Sequence, residues 1–246
     1  MPLALLTLVV APLMAAAPEE GSARGYEEAL VAWGLAQHSR EVEPSPEGKR
    51  LEEVLVAAED VIAESDPYPG FLNIVHVRTR EQVIRREALM EPGALYSAEL
   101  AEETARNLRK LGIFSAVRVV PVKGQTPGGV ALLIITKDLW SLRLNQTWDL
   151  VGSFVRYLRL QGTEKNFLGL NQQLAVDFLL RPDTMSIGET YINRRVGGSR
   201  WYFGQSAFLI LGRVNLGATS RREILAMIRF LMPMLPSGFR LSPAAR

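Results

Sequence analysis

After Lys137, Asp138 and Leu139 the chain takes up a period of two, and that alternation limits its fold more than any other feature of its 246 residues. Leu142, Leu144, Trp148 and Leu150 fall on one side of an extended backbone, with Ser141, Arg143, Asn145, Thr147 and Asp149 on the other. The pattern returns in Leu174, Val176, Phe178 and Leu180 against Gln173, Ala175 and Asp177. Successive side chains of a strand point to opposite faces, so each stretch makes one apolar and one polar surface. Gly162, Pro182 with Asp183, and Gly197 with Gly198 supply turns. Stretches of ~10 alternating residues separated by turns characterise a transmembrane β-barrel, apolar toward lipid and polar toward the lumen. Trp140, Trp148, Trp201, Tyr157, Tyr191 and Tyr202 would then supply interfacial girdles. A soluble antiparallel sheet shows the same alternation, so the pattern alone leaves both architectures open.

Upstream, residues 50–138 follow a different grammar. Residues 51–62 are rich in Val and Ala and fit a strand or a helix, while 71–77 carry Ile74, Val75 and Val77 and favour a strand. Either stretch could be the first strand. Asp66, Pro67, Pro69 and Gly70 place a turn between them. Thr79 is expected to cap a helix over 80–89, which Glu91, Pro92 and Gly93 end. Ser97 caps a second, over 98–111, with Leu100, Thr104, Leu108 and Leu111 as the buried stripe and Gly112 as its stop. Residues 114–122 are dense in Val, Gly124 to Gly129 make a turn, and 130–136 are apolar on both faces, as a central strand would be. The order strand-helix-helix-strand-strand makes one small α+β domain.

The N-terminus carries an address. No charged side chain precedes Glu19, and Leu3, Leu5, Leu6, Leu8, Val9, Val10, Leu13 and Met14 form a compact apolar core before Ala15, Ala16 and Ala17. This describes a secretory signal peptide over residues 1–17, shorter than the ~20 apolar residues of a membrane-spanning helix. Residues 18–49 are small and polar with Pro44, Pro46 and Gly48, and are expected mainly as a linker that could hold a short helix over 26–37. A net charge of +2 without a basic block argues against nucleic acid. Cys 0 excludes disulfides and thiolate chemistry.

Three strings carry a resemblance. TREQVIRREALMEPGALYS (79–97) and ETARNLRKLGIFSAVRVVPV (103–122) resemble the helices and edge strand of a POTRA domain of the BamA/TamA outer-membrane assembly superfamily. TEKNFLGLNQQLAV (163–176) resembles the turn and strand early in the barrel of the same superfamily. The resemblance covers about residues 50–212 and implies an α+β POTRA-like domain (50–138) followed by a partial antiparallel transmembrane β-barrel (139–212). It implies a cell outer membrane location, with the N-terminal domain in the periplasm. The implied partners are unfolded outer-membrane or exported polypeptides, the lipid bilayer and accessory periplasmic proteins. About five strands are fewer than the ~8 of a closed barrel. Beyond Arg213 the alternation fades, and 220–235 fits an amphipathic helix, with Ile224, Leu225, Ile228, Leu231 and Met232 on one side. Residues 213–246 are therefore expected as a divergent or truncated tail, and the chain as a fragment.

No enzymatic chemistry is expected. His38 and His76 stand alone without Cys, which is too little for a zinc site, and no cofactor is implied. P-loop, G-x-G-x-x-G and G-x-S-x-G patterns are absent. Glu102 with Glu103 and Glu52 with Glu53 are adjacent pairs that fit a solvated face. The resemblance points to binding: an exposed sheet edge takes an extended client by strand addition, where backbone hydrogen bonds demand little of its sequence. Val117, Val119 and Val120 mark the expected edge, interrupted by Pro121, unless these valines merely pack the core. A soluble periplasmic adaptor without a membrane barrel is the alternative.

Overall fold

The computed structural model describes residues 20–62, 76–151, 154–199, 201–216 and 219–231. The expected signal peptide (1–17) and most of the strand expected over 71–77 lie outside the described residues, as do residues 232–246.

The first unit is a three-stranded sheet in the order β1-β3-β2, built from β1 (Arg50–Glu59), β2 (Phe114–Lys123) and β3 (Gly129–Asp138). β3 runs parallel to β1 and antiparallel to β2. A strand apolar on both faces needs cover on both, and Val130 to Ile135 are all fully buried. Val130, Leu132 and Ile134 pack with Ile84 of α2 (Glu81–Arg85) and with Ala101, Ala105 and Leu108 of α3 (Ala98–Lys110). Ala131, Leu133 and Ile135 meet Leu30 of a further helix, α1 (Glu20–His38), on the opposite face.

α1 corrects the linker expected over 18–49: the short helix that the stretch could hold over 26–37 is present, runs from Glu20 to His38 and packs on the sheet. Its stripe of Leu30, Val31 and Leu35 is short and diluted by alanine, so it has meaning only once a sheet face needs cover. Gly34 lets it approach closely, because a Cβ there would lie 2.7 Å from Ile135 Cδ1.

The expected helix over 80–89 shrinks to the single turn and a half of α2, and Thr79 does not cap it. Ser97 does cap α3, accepting from the Leu100 N–H. The buried stripe is Ala101, Thr104, Ala105 and Leu108, whereas Leu100 is 39% exposed. Thr104 is tolerated at zero exposure because its hydroxyl donates to Leu100 O and accepts the Leu89 N–H.

The second unit is a six-stranded antiparallel meander, in which each strand pairs with its neighbours in sequence. It comprises β4 (Leu142–Val151), β5 (Phe154–Glu164), β6 (Gln172–Arg181), β7 (Thr184–Asn193), β8 (Phe203–Leu216) and β9 (Thr219–Leu231). Register aligns the alternating residues into rows. Leu144 opposes Gly162, which opposes Val176, and Leu160 opposes Phe178, which opposes Ile187 and then Leu209. Leu144, Leu160, Val176, Ile187 and Leu209 stay exposed on that one face. The opposite face carries Arg159, which is hydrogen-bonded to Asp177, and Gln161. Among the described residues β4 and β9 are the two edges, and the sheet does not close.

The helix expected over 220–235 is instead β9, paired with β8 along its whole length. In the sequence Ile224, Leu225, Ala226, Met227 and Ile228 follow one another without a break, which hides a period of two and mimics a helical stripe.

Because Leu30 is 3% exposed against the sheet, Leu30→Ala is expected to cost ~2–4 kcal/mol and to raise amide exchange along α1. Denaturant titration and hydrogen exchange on the full chain in detergent would measure both. An unchanged midpoint would mean that α1 is not a packed layer.

Candidate functional site

Two features of the α/β unit bear on function: its joint with the large sheet and the state of its two edge strands. The joint grows from the end of β3. Asp138 is 1% exposed, and its Oδ2 accepts the Thr79 N–H at 2.7 Å and the His76 Nε2–H at 2.9 Å. The Thr79 hydroxyl accepts from Asn166 Nδ2 at 2.8 Å. Asn166, 2% exposed in the β5–β6 turn, takes the Asn171 N–H on its Oδ1 at 2.9 Å. The Arg80 N–H adds a bond to Gly169 O at 2.9 Å, and Arg80 Nε one to Leu168 O. Gly169 has φ +70°, and a Cβ there would collide with the Arg78 carbonyl oxygen. Only glycine combines that backbone with that approach.

The β7–β8 turn meets the same domain through Arg195, 2.8 Å from the nearly buried Glu87 carboxylate. Beside this pair, burial lowers the pKa of the Arg86 guanidinium; Glu87 opposes the shift and Arg195 adds to it. The two turns share one construction. Glu164 Oε1 accepts the Asn166 N–H as Asn193 Oδ1 accepts the Arg195 N–H, and left-handed residues follow at 168–169 and 197–198.

The edges of the small sheet differ. On the outward side of β1 the carbonyls are occupied along its length. Gly93 and Ala94 pair with Leu51, and the carbonyls of Val54, Val56 and Ala58 accept from Arg85, His38 and Arg78. On β2, the Lys123 N–H donates to Glu41 O at 2.9 Å and the Glu43 N–H to Pro121 O at 3.0 Å, with Val42 bridging Val122. Residues 121 and 123 therefore face outward, and by the period of two so do the backbones of Val117 and Val119. Pro121 fits this edge because its missing N–H points away from β3. The Val117 carbonyl accepts from Arg109 Nη2 at 3.3 Å. Among the described residues no strand pairs with the outward side of Val119.

Side chains at this edge turn inward. Val117 is 5% exposed in the α3-side core, Val119 packs against the same core, and Val120 packs on the α1 side. The three valines thus sit together on an edge strand, while their side chains serve packing. The segment across from residues 121–123 is tied by charge: Lys123 holds the Glu41 carboxyl below its ordinary pKa and is itself raised, and Lys49 holds the Glu43 carboxyl down. Among the described residues no group of His, Asp and Glu is arranged to hold a metal. His38 lies at the β1 edge and His76 at the joint.

The joint residues Thr79, Asn166 and Gly169 escaped sequence reasoning as a set. The one signal was the string containing Asn166 and Gly169, whose partners lie nearly ninety positions upstream.

The chain thus joins an α/β domain, whose β2 edge is unpaired at Val119 among the described residues, to an antiparallel sheet with one apolar face. No family model matches it. A stretch of 131 residues is 29% identical to a protein of Treponema pallidum (strain Nichols) described as "Putative outer membrane protein assembly factor", covering 51% of this chain and 15% of that protein. The structure of BamA from Haemophilus ducreyi lacking POTRA domains 1–3 has a similar fold, with TM-score 0.52 and 15% identity over 84% of this chain and 40% of that one. The match therefore spans well under half of either relative. The likeness to the Treponema protein is one of sequence over about half of this chain, and the likeness to BamA is one of fold.

Asn166→Ala is expected to cost ~1–3 kcal/mol, because the Thr79 hydroxyl and the Asn171 N–H both lose a buried partner. Thr79→Val tests the same bond from the other side. In a double-mutant cycle the two losses should sum to more than the combined variant shows; strict additivity would mean that the bond does not couple the units.

Proposed function

We propose that this chain is a component of outer-membrane protein assembly or polypeptide translocation. In this reading the α/β unit is a POTRA domain in the periplasm, and the six-stranded sheet is part of a transmembrane β-barrel. The domain binds extended client chains, either unfolded outer-membrane or exported polypeptides, and passes them to the barrel.

The observation that carries the reading is the open β2 edge at Val119 in a domain hydrogen-bonded to a sheet with an apolar face. A strand edge in water is normally covered, as β2 is at residues 121–123, so an uncovered stretch beside a covered one fits a binding position. Strand length supports the membrane assignment. A strand of 10 residues, as in β4, β6 and β7, rises ~34 Å; tilted at ~45° it spans ~24 Å, close to the ~25 Å apolar band of an outer-membrane barrel. The likenesses above agree with an outer-membrane location.

Two experiments test the reading. Val119→Pro removes the outward N–H without touching the ladder to β3, and is expected to weaken binding of an unfolded client about 5-fold, the equivalent of one backbone hydrogen bond. Equal binding by a folded variant would remove the edge from the mechanism. Separately, Ile187→Arg on the apolar face should cost up to ~2–4 kcal/mol of membrane insertion, whereas Ser186→Arg on the opposite face should be tolerated. Release of the protein from cells without detergent would favour the soluble adaptor instead.

A further inference from the structure

The face of the large sheet that exposes Leu144, Val176, Ile187 and Leu209 is apolar through its middle rows, yet a carboxylate stands on it. Glu189 belongs to that face by register, pairing with Val176 on β6 and with Ala207 on β8. Ile187 and Leu209 form the row on one side of it, and Tyr191 and Gln205 the row on the other. Gln205 Nε2 donates to Glu189 Oε1 at 3.3 Å. Because Gln205 stands one row nearer the β7–β8 turn, the carboxylate leans toward the end of the sheet that meets the α/β unit.

Two rings occupy the same end of the same face. The Tyr191 ring centroid lies 6.2 Å from that of Phe203, and Phe203 opposes Asn193, which shares its side of β7 with Glu189 and Tyr191. The site thus combines a carboxylate, an amide carbonyl and two aromatic rings, all groups that attract a cation. Among the described residues no lysine or arginine pairs with Glu189. Arg194, the nearest cation along β7, is bonded to Gln173 on the opposite face, and the register sets Ile228 and Phe230 next on β9.

In the membrane reading of this sheet, Glu189 lies inside the end of β7 by ~10 Å of depth along a strand tilted at ~45°. Tyr191 and Phe203 then belong to the girdle that sits at headgroup level, and the lean of the carboxylate carries it toward them. A carboxylate facing hydrocarbon is costly, so an occupant that brings a positive charge is favoured there.

We infer that Glu189, Gln205, Tyr191 and Phe203 form a site on the outer face of β7 and β8 for the primary ammonium headgroup of a phospholipid such as phosphatidylethanolamine. A primary ammonium has three N–H donors for the carboxylate and the Gln205 Oε1, while the rings attract its charge. A quaternary ammonium has no N–H and engages the rings alone. The bound lipid sits beside the turn whose Arg195 meets Glu87, and so ties the joint of the two units to the membrane surface. The inference rests on the membrane reading of the large sheet and adds a lipid preference to it.

The test offers the full chain, in dodecyl maltoside micelles, equal amounts of phosphatidylethanolamine and phosphatidylcholine with the same acyl chains. Native mass spectrometry counts the lipid retained. Phosphatidylethanolamine is expected to be retained about tenfold more, the effect of one charge-assisted hydrogen bond. Glu189→Gln preserves shape and should bring the two lipids level, with the strand signal in circular dichroism unchanged. Tyr191→Leu should weaken both lipids about threefold and leave the preference in place. Equal or no retention of the two lipids by a native chain that needs detergent, or a preference that survives Glu189→Gln, would overturn the inference and leave the membrane reading standing. A native chain that retains neither lipid and stays in solution once detergent is removed would overturn both.

Discussion

A chain of hydrogen bonds through one buried carboxylate holds the two halves of this protein in register. Asp138 Oδ2 takes the Thr79 N–H, the Thr79 hydroxyl takes Asn166, and Asn166 takes the Asn171 N–H. Every member is nearly free of solvent, so each bond lacks a competing water and each missing partner would leave a desolvated polar group. Orientation of the small domain follows from this line of contacts. The Arg80–Gly169 backbone bond and the Arg195–Glu87 ion pair add support on either side.

Backbone satisfaction also explains the asymmetry of the small sheet. β1 and β2 are equivalent as edges, yet β1 has its carbonyls covered by Arg85, His38 and Arg78, while among the described residues β2 is covered where residues 41–43 lie beside it and at the Val117 carbonyl, which accepts from Arg109. Cationic and imidazole donors close a carbonyl row without offering a new strand edge. The outward side of Val119 is what remains.

Much of the architecture was legible in local patterns. Ser97 announces α3, the apolar run at 130–136 announces a doubly covered strand, and the alternation at 142–150 and 174–180 survives as faces of one sheet. Features that depend on distant partners were not legible. α1 looks like a linker until Ala131, Leu133 and Ile135 need a lid. Thr79 resembles an N-cap because its hydroxyl has no local reason to do anything else, and its true partner is Asn166. β9 resembles a helix because its run of consecutive apolar residues carries no period of two in the sequence. Val117, Val119 and Val120 could be placed on an edge strand from sequence. Which of their groups face outward required the pairing of residues 41–43 with 121–123.

β3 passes into β4 through only Leu139, Trp140 and Ser141, and that short link is itself anchored: the Leu139 N–H bonds to Ile113 O and the Ser141 carbonyl accepts the Lys165 N–H. The arrangement has a mechanical consequence. A load applied along β2 is carried to β3 in shear, across the whole ladder at once, and leaves the domain along the strand axis into β4. A load applied across β2 would open the ladder one bond at a time. The protein is stiff along the line from its open edge to the large sheet and weak at right angles to it.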